Sequence, residues 1–306
     1  MARRRKGRDV SGWVIVDKPS GIGSTPVVSK VRRAFDAKKA GHAGTLDPMA
    51  SGVLAVALGE ATKTVPYAMD GRKSYRFTVR WGAETDTDDA EGQVTRRSDA
   101  RLPDAPAIRA ALPALTGEVM QAPPAYSALK VDGKRAHELA RAGEIEALPP
   151  RPVTIHALSL VEAREGEAEL EMVCGKGGYV RAVARDLGRA LGCLGHVTVL
   201  RREAAGPFTL ADAVSLDMIE AMGQGDAASV RLLGVARGLD GVPALAVSDA
   251  EAAILRNGGS VPAPAASDDR TTWASLDGAP VAIGTAGGGV FRPARVIHHA
   301  DAEGET

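Results

Sequence analysis

Gly52-Val-Leu-Ala-Val-Ala-Leu-Gly59 is an unbroken apolar run held between two glycines. It is far shorter than the roughly 20 residues of a membrane span, and it lacks the alternation of a half-wet strand, so it reads as a fully buried strand. A chain of 306 residues has the material to bury it: at about 100 to 200 residues per domain it holds one large domain or two unequal ones. The segment just before the run, Gly41 to Gly52, is glycine-rich and interrupted by Pro48, which describes an irregular loop. Gly12 to Asp17 is a second short apolar run that ends in Lys18-Pro-Ser-Gly, a strand followed by a turn.

Periodicity supplies the remaining elements. Pro26 to Phe35 carries apolar residues at 27, 28, 31 and 35, the spacing of an amphipathic helix. Ser74 to Trp81 alternates as a strand, and Ala83 to Gln93 is an acidic connection whose Asp86, Asp88, Asp89 and Glu91 read as a solvated hairpin end rather than a calcium loop, since Ala90 and Gly92 break that register. Asp104 to Leu115 suits a helix, Ala122 to Ser127 a rigid extended loop, and Arg135 to Arg141 a short helix closed by Gly143. Val153 to Ala163 and Ala168 to Cys174 form a hairpin pattern, and Tyr179 to Leu191 a helix stopped by Gly192. On that helix Arg181, Arg185 and Arg189 recur at i, i+4 and i+8, a basic stripe whose plain account is a solvated face. His196 to Arg202 is a further strand, followed by a helical linker rich in Ala and Leu. Beyond Gly241 the composition shifts to Ala, Gly and Pro, Ser248-Asp-Ala-Glu251 opens a helix with a capping pattern, and short strands at Val281 to Gly284 and Arg292 to His298 suggest a small β-rich module. The domain expectation is 1–240 and 241–306, with residues 1–10 a flexible basic tail.

A hydrophobic fraction of 44% and a charged fraction of 25% exclude collagen-like and wholly disordered classes. The N-terminal residues lack the apolar segment of a signal peptide, so the chain reads as cytoplasmic and without a membrane anchor. The formal net charge of zero conceals a gradient. Residues 1–40 hold eleven basic and three acidic side chains, a balance of +8, whereas residues 204–306 hold six arginines and thirteen acids, a balance of −7. A polyanion is therefore drawn to the N-terminal part, since phosphate contacts answer to local field.

Phosphate-loop, dinucleotide-binding and serine-hydrolase signatures are missing, and Cys174 and Cys193 form neither a disulfide framework nor a zinc pattern. No cofactor and no metal is expected. His42-Ala-Gly-Thr-Leu-Asp47-Pro-Met-Ala-Ser-Gly52 is the strongest local signal: an aspartate before proline in a glycine-rich loop has a restrained backbone and close access for a ligand. By itself Asp47 also suits an Asx-turn that starts a bend.

Further segments decide between these accounts. Gly12-Trp-Val-Ile-Val-Asp-Lys-Pro-Ser-Gly21, Gly41 to Leu54, Gly59-Glu-Ala-Thr-Lys63, Lys73-Ser-Tyr-Arg76, Thr85-Asp-Thr-Asp88, Gln121 to Lys130, Lys176-Gly-Gly-Tyr-Val-Arg181, Asp186-Leu-Gly188 and His196 to Arg202 occur in one order across about the first 205 residues. In these segments the chain resembles the bacterial tRNA pseudouridine-55 synthases. The resemblance implies an α+β fold, with a mixed, largely antiparallel central sheet, flanking helices and a small C-terminal PUA-like domain. It implies a cofactor-free monomer that isomerises a uridine in the T-arm of tRNA to pseudouridine. Asp47 is similar to that family's catalytic aspartate and Arg181 to the arginine paired with it. Tyr75 resembles the tyrosine that stacks on the target uracil, Tyr179 a second pocket residue, and Leu200 the apolar residue that closes the base pocket. His42 resembles the histidine that helps displace stem-loop bases. The chain departs from the family pattern at Gly178, where Thr is usual, and at His137, where Tyr is usual.

The chemistry agrees with these residues. A single carboxylate suffices, by attack on C1′ or the base or by removal of the 2′ proton, and a carboxylate drawn out of water needs a cationic partner. A flipped uracil needs replacement contacts, which Tyr75 and Leu200 would supply. Two other classes fit parts of the pattern: a non-catalytic RNA chaperone using the same cleft, and an aspartate-dependent hydrolase of RNA or nucleosides.

Overall fold

The computed structural model describes residues 7–145, 147–221 and 231–298. The first half runs β1 (Gly12–Lys18), α1 (Ser24–Ala34), β2 (Ala40–His42), β3 (Ser51–Leu58), α2 (Val65–Asp70), β4 (Lys73–Trp81), β5 (Ala83–Thr85), β6 (Val94–Arg97), α3 (Ala105–Ala111) and β7 (Gly117–Gln121). It continues with β8 (Lys130–Val131), β9 (Lys134–Arg135), α4 (Ala136–Arg141), β10 (Arg151–Arg164), β11 (Glu167–Cys174), α5 (Val180–Ala190), β12 (Gly195–Ala205), β13 (Phe208–Thr209), β14 (Val214–Ser215) and α6 (Leu216–Ala221). The last segment holds β15 (Ala244–Ala246), α7 (Asp249–Arg256), β16 (Val261–Pro262), β17 (Arg270–Leu276), β18 (Ala279–Gly287) and β19 (Val290–Val296).

Ten strands form one sheet in the order β14-β1-β3-β12-β4-β11-β10-β7, with β2 added to β3 and β13 to β12. Only the β1–β14 and β3–β12 pairings are parallel, so the sheet is mixed and largely antiparallel, in an α+β fold. The unbroken apolar run has a physical reason: β3 is covered on both faces. Leu54, Val56 and Leu58 enter one core with Val27 and Val31 of α1, and Val53, Ala55 and Ala57 enter a second with Trp13 and Phe208. Five strands of the last segment make a separate sheet around Leu255, Val281 and Phe291. That sheet also leans on the larger one, because Ile283 and Ile297 join the Trp13 core and Lys63 Nζ donates to Val296 O at 2.8 Å. Among the described residues no helix is long and apolar enough to cross a membrane.

Most expected elements form within a few residues of their expected ends, and the exceptions are instructive. The helix expected over 104–115 ends at Ala111 and tightens into a 3₁₀ turn, Leu112–Leu115, where Pro113 removes an N–H from the ladder. The helical linker expected after Arg202 does not form there. Instead β12 runs on to Ala205 and turns back through β13, and only Leu216–Ala221 is α-helical, while 222–230 lie outside the described residues. Residues 1–6 of the expected flexible tail also lie outside the described residues. Residues 7–10 depart from the tail expectation, since Arg8 N donates to Asp36 O at 2.6 Å and Lys38 N to Arg8 O at 3.1 Å.

Candidate active site

Asp47 sits in the loop between β2 and β3, which is tied down on both sides of the aspartate. Ser24 Oγ donates to Leu46 O at 2.9 Å and accepts from Leu46 N at 2.8 Å. Gly21 N donates to Pro48 O at 2.8 Å, and Lys18 Nζ, at the end of β1, reaches Pro48 O at 3.2 Å as well as Pro19 O and Ile22 O. From β12, Arg202 donates to Gly44 O, Thr45 O and Val53 O at 3.0, 3.3 and 2.9 Å. The parallel pairing of β3 with β12 sets Gly52 beside Arg202. Gly52 has φ +100°, and a Cβ there would stand 2.1 Å from Arg202 O, so only glycine admits this approach.

Arg181, in the first turn of α5, is buried, with its side chain 4% exposed. Its Nε lies 2.9 Å from Asp47 Oδ2, Nη1 donates to Thr87 O at 2.7 Å and lies 3.5 Å from Asp89 Oδ2, and Nη2 donates to Tyr126 O at 2.9 Å. The guanidinium thereby joins three loops behind the carboxylate. Asp47 Oδ1 has no hydrogen-bond partner among the described residues and is left for a ligand.

Asp47 and Arg181 share the wall of a cavity of about 480 Å³ with Tyr75, Tyr179 and Leu200. Antiparallel pairing of β4 with β12 sets Tyr75 opposite Arg202 and Phe77 opposite Leu200. Burial pushes the Tyr75 phenol above its ordinary pKa, with the Arg202 charge opposing. The backbone of Tyr179 is clipped by Gln121, which donates to Tyr179 O at 3.2 Å and accepts from Tyr179 N at 2.8 Å. Leu200 is buried, so it serves the core and the cavity wall together. His42 does not line this cavity. It stands on β2, where burial lowers its pKa and Nδ1 is enclosed without a hydrogen-bond partner among the described residues. Gly178 does line the cavity, and a Cβ there would come within 2.9 Å of Cys174 Sγ. His137, half-buried on α4, holds its Nδ1 3.1 Å from Ser127 O and ties α4 to the 122–127 loop.

The arginine stripe is the main correction. Arg185 is buried and pairs with Asp88 and Asp186, each at 2.9 Å, and Arg189 embraces the buried Glu84 at 2.6 and 3.0 Å. Neither is a free cation: Arg185 has left solvent, and Arg189, still half exposed, is held by its carboxylate. The acidic connection they meet does close a hairpin, β5 with β6, with Asp86 and Glu91 exposed as expected, but Asp88 and Asp89 are buried rather than solvated. The spacing of four along α5 matched a solvated face equally well, and only the packing of 83–89 over that face distinguishes the two.

Lys18 and Arg202 are site residues that the sequence motifs do not single out, although a lysine ending an apolar strand and an arginine within another are visible signals. Burial draws the Lys18 pKa down to about 8, with Asp47 the largest opposing influence. The unfolded chain holds this proton up to the ordinary value of 10.5, so between these values it binds more protons than the folded one, and stability attributable to Lys18 rises with pH. Melts of the wild type and Lys18→Met at pH 8 and 10 should therefore show the wild type gaining on the variant, by up to about 1.4 kcal/mol per pH unit. A constant difference between the two would refute the assignment. Among the described residues no group of three or more His, Cys, Asp or Glu side chains is arranged to hold a metal ion.

Residues 32–180 match the family model described as the TruB family pseudouridylate synthase N-terminal domain, and residues 181–233 match that of the tRNA pseudouridylate synthase B C-terminal domain. The chain is 53% identical over 302 residues to a protein named tRNA pseudouridine synthase B from Dinoroseobacter shibae, spanning 98% of this chain and 99% of that one. It is 55% identical over 297 residues to a protein of the same name from Paracoccus denitrificans, spanning 96% and 99%. In fold it is similar to a chain in the crystal structure of a Cbf5-Nop10-Gar1 complex, with TM-score 0.71 and 22% identity over 94% of this chain and 85% of that one. A structure of an H/ACA RNP bound to a substrate RNA containing 2′-deoxyuridine aligns with TM-score 0.71 and 20% identity, over 95% and 86%.

Proposed function

The chain belongs to the TruB family of pseudouridylate synthases, and from that membership we propose that it converts uridine 55 in the T-arm of tRNA to pseudouridine, with Asp47 as the catalytic group. The reaction breaks the N1–C1′ bond, rotates the uracil and joins C5 to C1′, and the proton lost from C5 is matched by one gained at N1. It is an isomerisation without net redox change and asks for one carboxylate, a place for the turned base and exclusion of water.

The observation that carries this reading is the Asp47–Arg181 pair, 2.9 Å apart, in a cavity also lined by Tyr75 and Leu200. Arg181 offsets the cost of bringing a carboxylate into such a site and holds Oδ2, leaving Oδ1 for the ribose or base. Tyr75 offers its ring to the flipped uracil, and Leu200 and Tyr179 bound the space in which the base turns. His42, outside the cavity lining, is assigned to the displaced stem-loop bases. All these groups come from one chain, and a monomer of catalytic residues 1–240 with a C-terminal RNA-binding module, 241–306, is the proposed working unit.

The test is conversion of a T-arm stem-loop RNA by purified protein with no added cofactor. Mass-neutral formation of pseudouridine at the target uridine is expected. Strand cleavage or base release would favour a hydrolase, and annealing of tRNA without any isomerised base would favour a chaperone.

A further inference from the structure

Five cationic side chains line the Asp47 cavity, and they differ in what they bind. Lys73 Nζ donates to Met69 O and to Gly71 O, and Lys176 Nζ lies 2.6 Å from Asp70 Oδ1. Arg181 is divided among Asp47, Asp89 and two carbonyls, and Arg202 donates to three carbonyls. Arg151 is the exception. Among the described residues its guanidinium has no carboxylate or carbonyl acceptor, its Nε is closed off from solvent without a hydrogen bond, and its one recorded side-chain partner is the Tyr179 ring, 5.8 Å from Cζ to centroid.

Its position is nevertheless secured. Arg151 opens β10 and pairs with Gln121 of β7, the residue whose side chain clips Tyr179, so the guanidinium and the ring it covers belong to one bonded unit. A donor enclosed without an acceptor is costly, and a guanidinium held over an aromatic face with its fork unoccupied is preorganised for an anion. The ligand that must enter this cavity is a polyanion with one phosphate on each side of the reacting nucleoside. A uracil carbonyl is neutral and would engage only part of the fork, whereas a phosphodiester matches it in charge and in geometry.

We propose that Arg151 binds the RNA backbone phosphate adjoining the target uridine and so holds the flipped nucleoside against Asp47. The inference rests on the reading of the cavity as a uridine site.

The experiment compares a T-arm stem-loop with versions carrying a neutral methylphosphonate 5′ or 3′ to the target uridine, using the full chain as wild type, Arg151→Gln and Arg151→Lys. One of the two neutral linkages should weaken wild-type binding by about 10-fold, the size of a charge-assisted hydrogen bond, and lower the slope of log affinity against log salt by about 0.7. Arg151→Gln should bind the unmodified RNA about 10-fold more weakly and lose nothing further when that same linkage is neutral. Arg151→Lys should fall between. Equal losses in wild type and Arg151→Gln, or a wild type indifferent to both linkages, overturns the assignment. If Arg151→Gln fails to fold, the wild type and Arg151→Lys carry the same comparison. Wild-type turnover of the unmodified RNA is measured alongside: its absence defeats the uridine-site reading, and its presence with equal losses defeats Arg151 alone.

Discussion

Asp47→Ala is expected to bring pseudouridine formation below detection while changing stem-loop affinity by less than about 1 kcal/mol. The side chain is small, one of its oxygens is already held by Arg181 at 2.9 Å, and it contributes little surface to an RNA that is captured largely through its phosphates. What disappears is the only carboxylate lining the cavity among the described residues. Single-turnover assays at saturating protein separate the two effects, since a binding defect is overcome by concentration and a chemical one is not. Measurable turnover in the alanine variant would remove the central residue of the mechanism. Tyr75→Leu provides the contrast: it keeps the carboxylate but gives up base stacking worth about 1 to 3 kcal/mol, so capture and rate should fall together.

Arg181→Ala should lower the turnover rate at saturating RNA by roughly 10² to 10³ and destabilise the fold by about 3 to 5 kcal/mol. Both effects have the same origin. The guanidinium is the cation facing Asp47 and also faces Asp89, whose side chain is only 4% exposed, and it satisfies the carbonyls of Thr87 and Tyr126. Its removal strands a buried carboxylate and loosens the loops behind the cavity. Arg181→Lys restores one charge without the fork, so it should recover part of the stability and little of the rate. Adding Asp89→Asn to Arg181→Ala removes the stranded charge and should regain stability without regaining turnover. Denaturant melts and single-turnover rates on the four proteins check this, and a rate that recovered in step with stability would reduce Arg181 to a structural support.

Element types were determined locally. The helices 180–190 and 249–256 follow from apolar spacing and capping residues, and Ser248 indeed caps through Glu251 N. The double-sided burial of residues 52–58 was legible because nothing in that run suits water. Asp47, Arg181, Tyr75, Tyr179 and Leu200 were named from ordered motifs, and the cavity gathers all five.

Tertiary structure alone decided the partners of charge. Arg181, Arg185 and Arg189 are alike in sequence spacing, yet one faces Asp47, one is enclosed by Asp88 and Asp186, and one grips Glu84, because the 83–89 connection folds over α5. Lys18 and Arg202 looked like ordinary strand residues until the β1, β3 and β12 pairings brought them to the backbone of the Asp47 loop. Periodicity is a property of neighbours along the chain and is written in their order. The ion pairs that shape this site join residues as far apart in sequence as Asp47 and Arg181, and their choice of partner depends on burial, which only the assembled sheet and helices create.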